Sequence, residues 1–456
     1  MRSQPVIAVF DVGKTNKKLF LFDQNYKIVY ERSARFLETV DEDGFPCENI
    51  ESLRLSVFDS LRQVFNKKTF CIKALNFSAY GASLVYIDEE GAPVAPLYNY
   101  LKPYPPALQN QLHEKYGGEE RFSLQTASPV LGSLNSGLQL YRLKHEKPGV
   151  FEKARFALHL PQYLAFLVSG KACSDITSIG CHTALWDFEK NNYHEWVKAE
   201  GIDEKLAPIA SYDKVYKATF PGNNYLVGTG LHDSSAALIP YMVSFQEPFV
   251  LLSTGTWCIS MNPFNDTALT VEELKQDCLS YLHYKGRPVK ASRFFAGMEH
   301  EEGVKRIAEH FNQDLIRYRN LRFDATIIDL LQKKQDHLTS DEFPFRQRSL
   351  QHYDSYEEAY HRLMMDIVSQ QVQSTNLVLK GSPVKRLFVD GGFSNNHIFM
   401  NLMAAAFPQL EIYAASMAQA TSLGAALAIH SSWNKEPVPA SLIQLQFYSP
   451  SSPVVV

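Results

Sequence analysis

The chain has 456 residues, 45% of them hydrophobic and 21% charged, and its 45 basic and 49 acidic side chains leave a formal net charge of -4. That length exceeds one compact core and suits two domains of roughly 200 residues each. The charge balance excludes the basic face of a nucleic-acid binder and the polybasic face of a membrane-surface protein.

In chain order, residues 6–10 (Val-Ile-Ala-Val-Phe) read as a buried strand, 19–22 as a second and 27–30 as a third. The first run meets Asp11 at once, too short for a secretory signal or for a span of ~18 apolar residues, so a soluble, cytoplasmic protein is expected. Cys47, Cys71, Cys173, Cys181, Cys258 and Cys278 show no zinc-like spacing, which predicts free thiols in a reducing compartment. Gly13 and the polar Lys14-Thr15-Asn16 segment predict a tight turn after the first strand. Ile50, Leu53, Val57, Phe58, Leu61, Val64 and Phe65 fall at helical spacing, and 71–77 returns as a strand. A similar order begins near Pro248: a strand at 249–253, a Thr254-Gly255-Thr256 turn, a strand at 258–261 and a third at 279–285. After a largely helical stretch, a strand at 387–390 ends in Gly391-Gly392, then come a helix with Ile398, Phe399, Leu402, Met403 and Ala406 on one face, a strand at 410–414 and a helix at 422–429. The tail after His430 reads as an irregular surface segment. The expected fold is α/β: two duplicated β-β-β-α-β domains, residues 1–243 and 244–456, flanking a catalytic cleft.

Three motifs end predicted strands. In Asp11-Val12-Gly13-Lys14-Thr15-Asn16-Lys17-Lys18, Gly13 lets backbone N–H groups approach phosphate oxygens, Thr15 adds a hydroxyl and Lys18 a positive charge. Asp11 could hold Mg²⁺ directly or through water; a β-turn with solvated lysines is the plainer alternative. Thr254-Gly255-Thr256 could wrap further phosphate oxygens. Asp390-Gly391-Gly392-Phe393-Ser394-Asn395 leads a strand to a helix N-terminus, a junction suited to a nucleotide lying against bare backbone. Neither the dinucleotide fingerprint nor a P-loop is present.

Asp-x-Gly-x-Thr, Thr-Gly-Thr and Asp-Gly-Gly follow the order of the two phosphate loops and the adenosine loop of actin-like ATPases. From Asp11 to about Ile429 the chain resembles the FGGY family of carbohydrate kinases. The resemblance implies the actin-like (ribonuclease H-like) ATPase fold, with ATP and Mg²⁺ held between the lobes and a small sugar as phosphate acceptor. Gly230-Leu231-His232-Asp233 looks like the segment carrying the family's general base, which assigns that role to Asp233 and leaves His232 either touching substrate or packing. The His-Asp pair is most similar to the L-rhamnulokinase and L-fuculokinase branches. Ser78, Tyr80 and Gly81 fall where the family lines its sugar pocket, Asp175 falls in another family landmark, and Gly424-Ala425 matches the turn that closes over the adenosine. Lys18 stands where many relatives have Arg. Tyr98-Asn99-Tyr100-Leu101-Lys102 replaces the common Trp-x-Asp-x-Arg, so Tyr100 removes a carboxylate often near the sugar. Gln419 replaces a common Glu, and the stretch at 179–183 is one residue longer than usual.

The implied reaction has Asp233 accept a proton from a sugar hydroxyl as its oxygen attacks the γ-phosphorus of ATP. Two alternatives stay open: a degenerate member that binds nucleotide or sugar as a regulator, and an actin-like phosphotransferase with a carboxylate acceptor. Arg293 and Glu299 are expected on a solvated surface, and Trp257 in the core behind the second phosphate loop. A homodimer is compatible with the sequence.

Overall fold

The computed structural model describes residues 3–14, 17–34, 37–222, 224–334, 345–417 and 419–449. The first sheet is built on β1 (Gln4–Val12), whose residues Val6 to Phe10 are almost fully buried. An apolar run buried on both faces needs a layer on each side, and the period-2 alternation decides which side chain meets which layer. Val6, Ala8 and Phe10 meet α1 (Ile50–Asn66), whose stripe of Leu53, Val57, Leu61 and Val64 matches the predicted helical spacing. Ile7 and Val9 face the opposite way, against Ala236 and Ile239 of α3 (Asp233–Ser244) and Leu423 and Ala426 of α7 (Ala420–Ala428).

β2 (Lys17–Phe22) runs antiparallel to β1, with Asp11 opposite Lys18, and β3 (Ile28–Ala34) is antiparallel to β2. On the other side of β1, β4 (Phe70–Ala79) is parallel to it. The sheet continues through β6 (Leu226–Gly228), parallel to β4, to the antiparallel edge β5 (Val215–Lys217). A short strand, β7 (Leu231–His232), also pairs in parallel with β4, and α2 (Leu160–Ser169) covers the α1 face.

The second sheet repeats this order. β8 (Phe249–Thr254) is antiparallel to β9 (Cys258–Asn262) and parallel to β12 (Arg386–Gly391), which is followed by β13 (Glu411–Ser416) and an antiparallel edge, β14 (Gln444–Tyr448). The buried helix α5 (Tyr356–Leu379) carries much of the core beneath it, with α4 (Ala296–His310) and α6 (His397–Ala406) alongside. The duplicated β-β-β-α-β plan therefore holds, with two corrections. The strand beside β9 is β11 (Pro288–Phe294); the predicted third strand, β10 (Cys278–Leu282), is one place further out as the edge. The described part of the tail is not wholly irregular: β14 closes the sheet by backbone pairing with β13 although most of its side chains are exposed. Among the described residues no helix is long and apolar enough to cross a membrane.

Candidate active site

Three parallel strands of the first sheet end side by side. Asp11 of β1 pairs with Ser78 of β4, and Ser78 pairs in turn with Leu231 of β7. The next rung joins Val12, Ala79 and His232, and the Tyr80 N–H continues the ladder to Val12 O at 3.0 Å. This pairing brings Asp11, Ser78, Tyr80, Gly81, His232 and Asp233 together from three distant stretches of sequence. Ser78 itself is fully buried, and its hydroxyl has no partner.

Asp233 is the first residue of α3, not its cap. Its Oδ1 accepts the Ser234 N–H at 2.6 Å and the Ser234 hydroxyl at 3.3 Å, with His232 Nε2 also 3.3 Å away. No described residue bonds Oδ2. Burial pushes the Asp233 carboxyl up to about 6, and Asp11 rises to about 6 for the same reason, helped by the charge of Asp233. Asp11 Oδ2 accepts the hydroxyls of Thr421 and Ser422, in the first turn of α7, and no described residue bonds its Oδ1. Among the described residues, each of the two carboxylates thus keeps one oxygen without a hydrogen-bond partner. The Lys18 ammonium lies on Glu31 at 2.6 Å, although its charge lowers the Asp11 carboxyl. Gly13 follows β1, and Thr15 lies outside the described residues.

His232 is held by its surroundings. Its N–H donates to Thr177 Oγ1 at 3.0 Å, its Nε2 lies 3.5 Å from Cys181 Sγ, and burial lowers the imidazole to about 4, so it is neutral. A Cβ on Gly81 would come within 2.8 Å of that ring, so only glycine lets the chain after β4 pass. Asp175 lies behind His232. It is fully buried and caps the turn at Ile176–Ile179, accepting the Thr177 N–H at 2.9 Å and the Thr177 hydroxyl. Thr177 links it in turn to the His232 backbone, and its Oδ2 is buried with no partner among the described residues.

The second sheet supplies the opposing loops. Thr254 pairs with Gly391 across β8 and β12; its hydroxyl donates to Asp390 O at 2.6 Å and accepts the Phe393 N–H at 3.0 Å. Gly391 takes φ +93°, and a Cβ there would sit 2.0 Å from Thr254 O. The Thr-Gly-Thr and Asp-Gly-Gly motifs are thus one stitched surface. Beside it lies a cavity of about 480 Å³ lined by Gly255, Gly297, His300, Gly392, Asn395 and Asn396, widening past Thr256 and Phe295. A hollow over Lys102 and Arg142 offers about 30 Å³, room for little more than a water molecule.

Several expectations change. Gly424 and Ala425 form no turn over this cavity: they are buried in mid-α7, where a Gly424 Cβ would meet Ala236 O at 1.8 Å and Ala425 O accepts the Asn76 amide at 2.7 Å. Arg293 is not on a solvated surface but grips Asp277 with two hydrogen bonds of 2.6 and 2.9 Å. Glu299, also expected on the surface, is half-buried and accepts a Gln370 amide hydrogen at 3.2 Å. Trp257 is 45% exposed rather than core, its ring tilted against Phe295 at 4.4 Å between centroids and flanked by Arg293. Sequence reasoning passed over Gly297 and His300. Their signal was the strand–glycine–helix junction at 294–298, hidden within a charged stretch; Gly297 allows α4 to donate its N–H to Thr256 O at 3.1 Å.

The family models decide the affiliation. The FGGY N-terminal domain model matches residues 6–239, and the FGGY C-terminal domain model matches 246–437. The chain belongs to the FGGY family of carbohydrate kinases. A rhamnulokinase of Halalkalibacterium halodurans is 24% identical over 260 residues, 55% of this chain and 54% of that protein. An L-fuculokinase of Escherichia coli K12 is 24% identical over 273 residues, 57% and 56% of the two. These matches span about half the length of the curated relatives. A carbohydrate kinase of Novosphingobium aromaticivorans aligns over 99% of this chain and 95% of its own, at 23% identity and a TM-score of 0.81. A xylulose kinase of Lactobacillus acidophilus aligns over 98% and 94%, at 16% identity and a TM-score of 0.78. At these identities the likeness shows the fold, which is the FGGY two-sheet, actin-like arrangement.

Proposed function

We propose that this FGGY chain transfers the γ-phosphoryl group of ATP to a hydroxyl of a small carbohydrate. The observation that carries the reading is the pair Asp11 and Asp233, each with one oxygen that no described residue bonds, brought to the same end of the first sheet by strands on either side of β4. Asp233 Oδ2 accepts the hydroxyl proton while its Oδ1 stays fixed by Ser234. The freed oxygen bonds to the γ-phosphorus, the bond to the β-phosphate oxygen breaks, and ADP leaves. The triphosphate lies along the Asp11–Lys18 turn and Thr254-Gly255-Thr256, with the nucleoside in the cavity by Gly392 and Asn395. Tyr80, Gly81 and His232 line the acceptor end.

The residues fit a divalent cation. Among the described residues no group of three or more His, Cys, Asp or Glu side chains could hold a metal ion, so the phosphates would supply most ligands, as Mg²⁺ commonly requires. Asp11, a buried carboxyl with an unbonded oxygen, would hold Mg²⁺ directly or through water. When bound, the ion would neutralise charge on the phosphates.

The names of the two curated relatives make L-rhamnulose and L-fuculose the first acceptors to test, beside xylulose, ribulose and polyols. The assay is ADP release with ATP and Mg²⁺, with identification of the phosphorylated product. A hydroxylamine-labile acyl phosphate as the only product would sink the hydroxyl-acceptor reading. Thermal stabilisation by nucleotide without ADP release for any carbohydrate would favour a binding module instead.

A further inference from the structure

The cavity proposed for the nucleoside holds a polar group that the reaction above does not use. His300 of α4 lines it, together with Gly255, Gly297, Gly392 and Phe393. Three aromatic rings clamp the imidazole, each nearly perpendicular to it: Tyr318 at 4.9 Å between centroids, Phe393 at 5.3 Å and Tyr360 at 5.9 Å. A ring packed in this way keeps one orientation. No described residue bonds its Nδ1, and that atom is not sealed within the protein. Nδ1 is therefore the polar atom that His300 offers to the cavity.

The hydrogen bonds behind the ring decide what Nδ1 offers. Asn396 caps α6, its Oδ1 accepting the Ile398 and Phe399 N–H groups at 3.1 Å each. That fixes the orientation of the amide, so its nitrogen donates to the Tyr360 hydroxyl at 2.8 Å. Tyr360, in α5, is fully buried, and its own hydroxyl hydrogen needs an acceptor. Among the described residues that acceptor is His300 Nε2, 2.9 Å away. Were Nε2 protonated instead, the Tyr360 hydrogen would be stranded in the core. Nε2 therefore accepts, and burial, which lowers the imidazole to about 4, keeps the ring neutral. A neutral imidazole whose Nε2 is bare carries its proton on Nδ1. The cavity thus faces an N–H donor of fixed tautomer, carried on α4 and locked from α5 and α6.

The surroundings suit a flat ligand. Tyr318, Leu321 and Phe393 supply apolar wall, and Gly392 leaves its backbone bare, with nothing within 4 Å of where a Cβ would stand. A donor set between apolar walls selects an acceptor in the plane of the ligand, which is what the ring nitrogens of a purine are. Resting on the kinase reading only for the place of the nucleoside, we propose that His300 binds the base of the nucleotide, its Nδ1–H donating to a purine ring nitrogen. Tyr360 and Asn396 are positioning residues: they act through His300, by holding the tautomer that donates.

The test uses ADP and its 1-deaza, 3-deaza and 7-deaza analogues, in each of which a C–H replaces one ring nitrogen, with 2′-deoxy- and 3′-deoxy-ADP as the ribose arm. Binding is read by titration calorimetry on the full chain, so it does not depend on turnover. One deaza analogue is expected to bind wild type about tenfold or more weaker than ADP. His300→Phe should bind that analogue and ADP within about twofold of each other, and His300→Asn, whose amide nitrogen stands near the place of Nδ1, should recover part of the preference. In the long-range ¹H–¹⁵N spectrum of histidine-labelled protein, wild-type His300 should show the Nδ1–H pattern, and Tyr360→Phe should shift it towards a mixture while shrinking the preference for ADP. A Tyr360 that only packs would change the melting temperature and leave that spectrum alone. The proposal is overturned by three deaza analogues that bind like ADP, by a preference that survives His300→Phe, or by an Nε2–H pattern in wild type. Discrimination confined to the deoxyribose analogues overturns the assignment to the base. ADP binding without phosphorylation of any carbohydrate would sink the kinase reading and leave this one standing; no nucleotide binding by the folded chain would sink both.

Discussion

Asp233→Asn separates what the buried carboxylate does for catalysis from what it costs the fold. Asparagine keeps the shape and the oxygen that accepts the Ser234 N–H, and it removes the charge. Burial lifts this carboxyl from its ordinary 3.8 to about 6, which corresponds to about 3 kcal/mol against the ionised form. Since 28% of the side chain faces the cleft, water relieves part of that, and about 1–2 kcal/mol is the net expected. The folded state holds the proton more tightly than the unfolded chain does. The stability it contributes is therefore complete below about pH 4 and is lost as pH rises through about 6. At about pH 7.5 the Asn variant should melt about 1–3 °C above wild type, an advantage that disappears near pH 4.

Activity should move the opposite way. The variant loses kcat by about 10²- to 10⁴-fold while the melting shift with ATP persists. Wild-type kcat/KM should fall on the acid side with a midpoint near 6, set by the Asp11–Asp233 pair and not by either group alone. Coupled ADP release across about pH 4 to 8 and melting over the same range make the comparison. The reasoning is refuted if the Asn variant keeps more than about a tenth of wild-type kcat. It is refuted equally if that variant melts below wild type at neutral pH.

Asp11→Asn should raise KM for Mg–ATP by about tenfold or more and flatten the Mg²⁺ dependence of the rate, read by titrating Mg²⁺ at fixed ATP. Thr254→Val removes the bond to Asp390 O and strands the buried Phe393 N–H; chemical denaturation should show a loss of about 1–3 kcal/mol, and KM for ATP should rise. Gly424→Val forces a side chain into the backbone of Ala236; a loss above about 2 kcal/mol is expected in the same measurement, and near-wild-type stability would show that α3 and α7 can part.

The sequence was readable where local chemistry decides structure. The run at 6–10 and the α1 stripe announce themselves by periodicity, and Asp11, Thr254 and Gly391 stand out because each ends a buried strand with a polar or bare residue. What escaped was decided at long range. β11 carries Lys290 and Arg293, which look like surface charges until Glu273 and Asp277 are found to neutralise them. β14 carries Leu445 and Phe447 on its exposed face, so its alternation marks no core layer and what holds it is backbone pairing with β13. Trp257, expected in the core behind the second loop, is instead a partly exposed ring packed on Phe295 and Arg293. Gly424 resembles a turn in sequence, but its missing Cβ serves a helix crossing.

That crossing explains why the two acids are so closely placed. α3 begins at Asp233, and α7 begins at the residues whose hydroxyls hold Asp11 Oδ2. The two helices touch at Ala236 and Gly424, one turn or less from both carboxylates. A closer contact than any side chain permits thus sets the separation of Asp233, the proposed base, from Asp11. Asn76 ties the same place to the first sheet, its amide donating to Ala425 O and its oxygen accepting the Gly230 N–H at 3.1 Å. An error of an ångström here would displace both acids relative to any in-line phosphate.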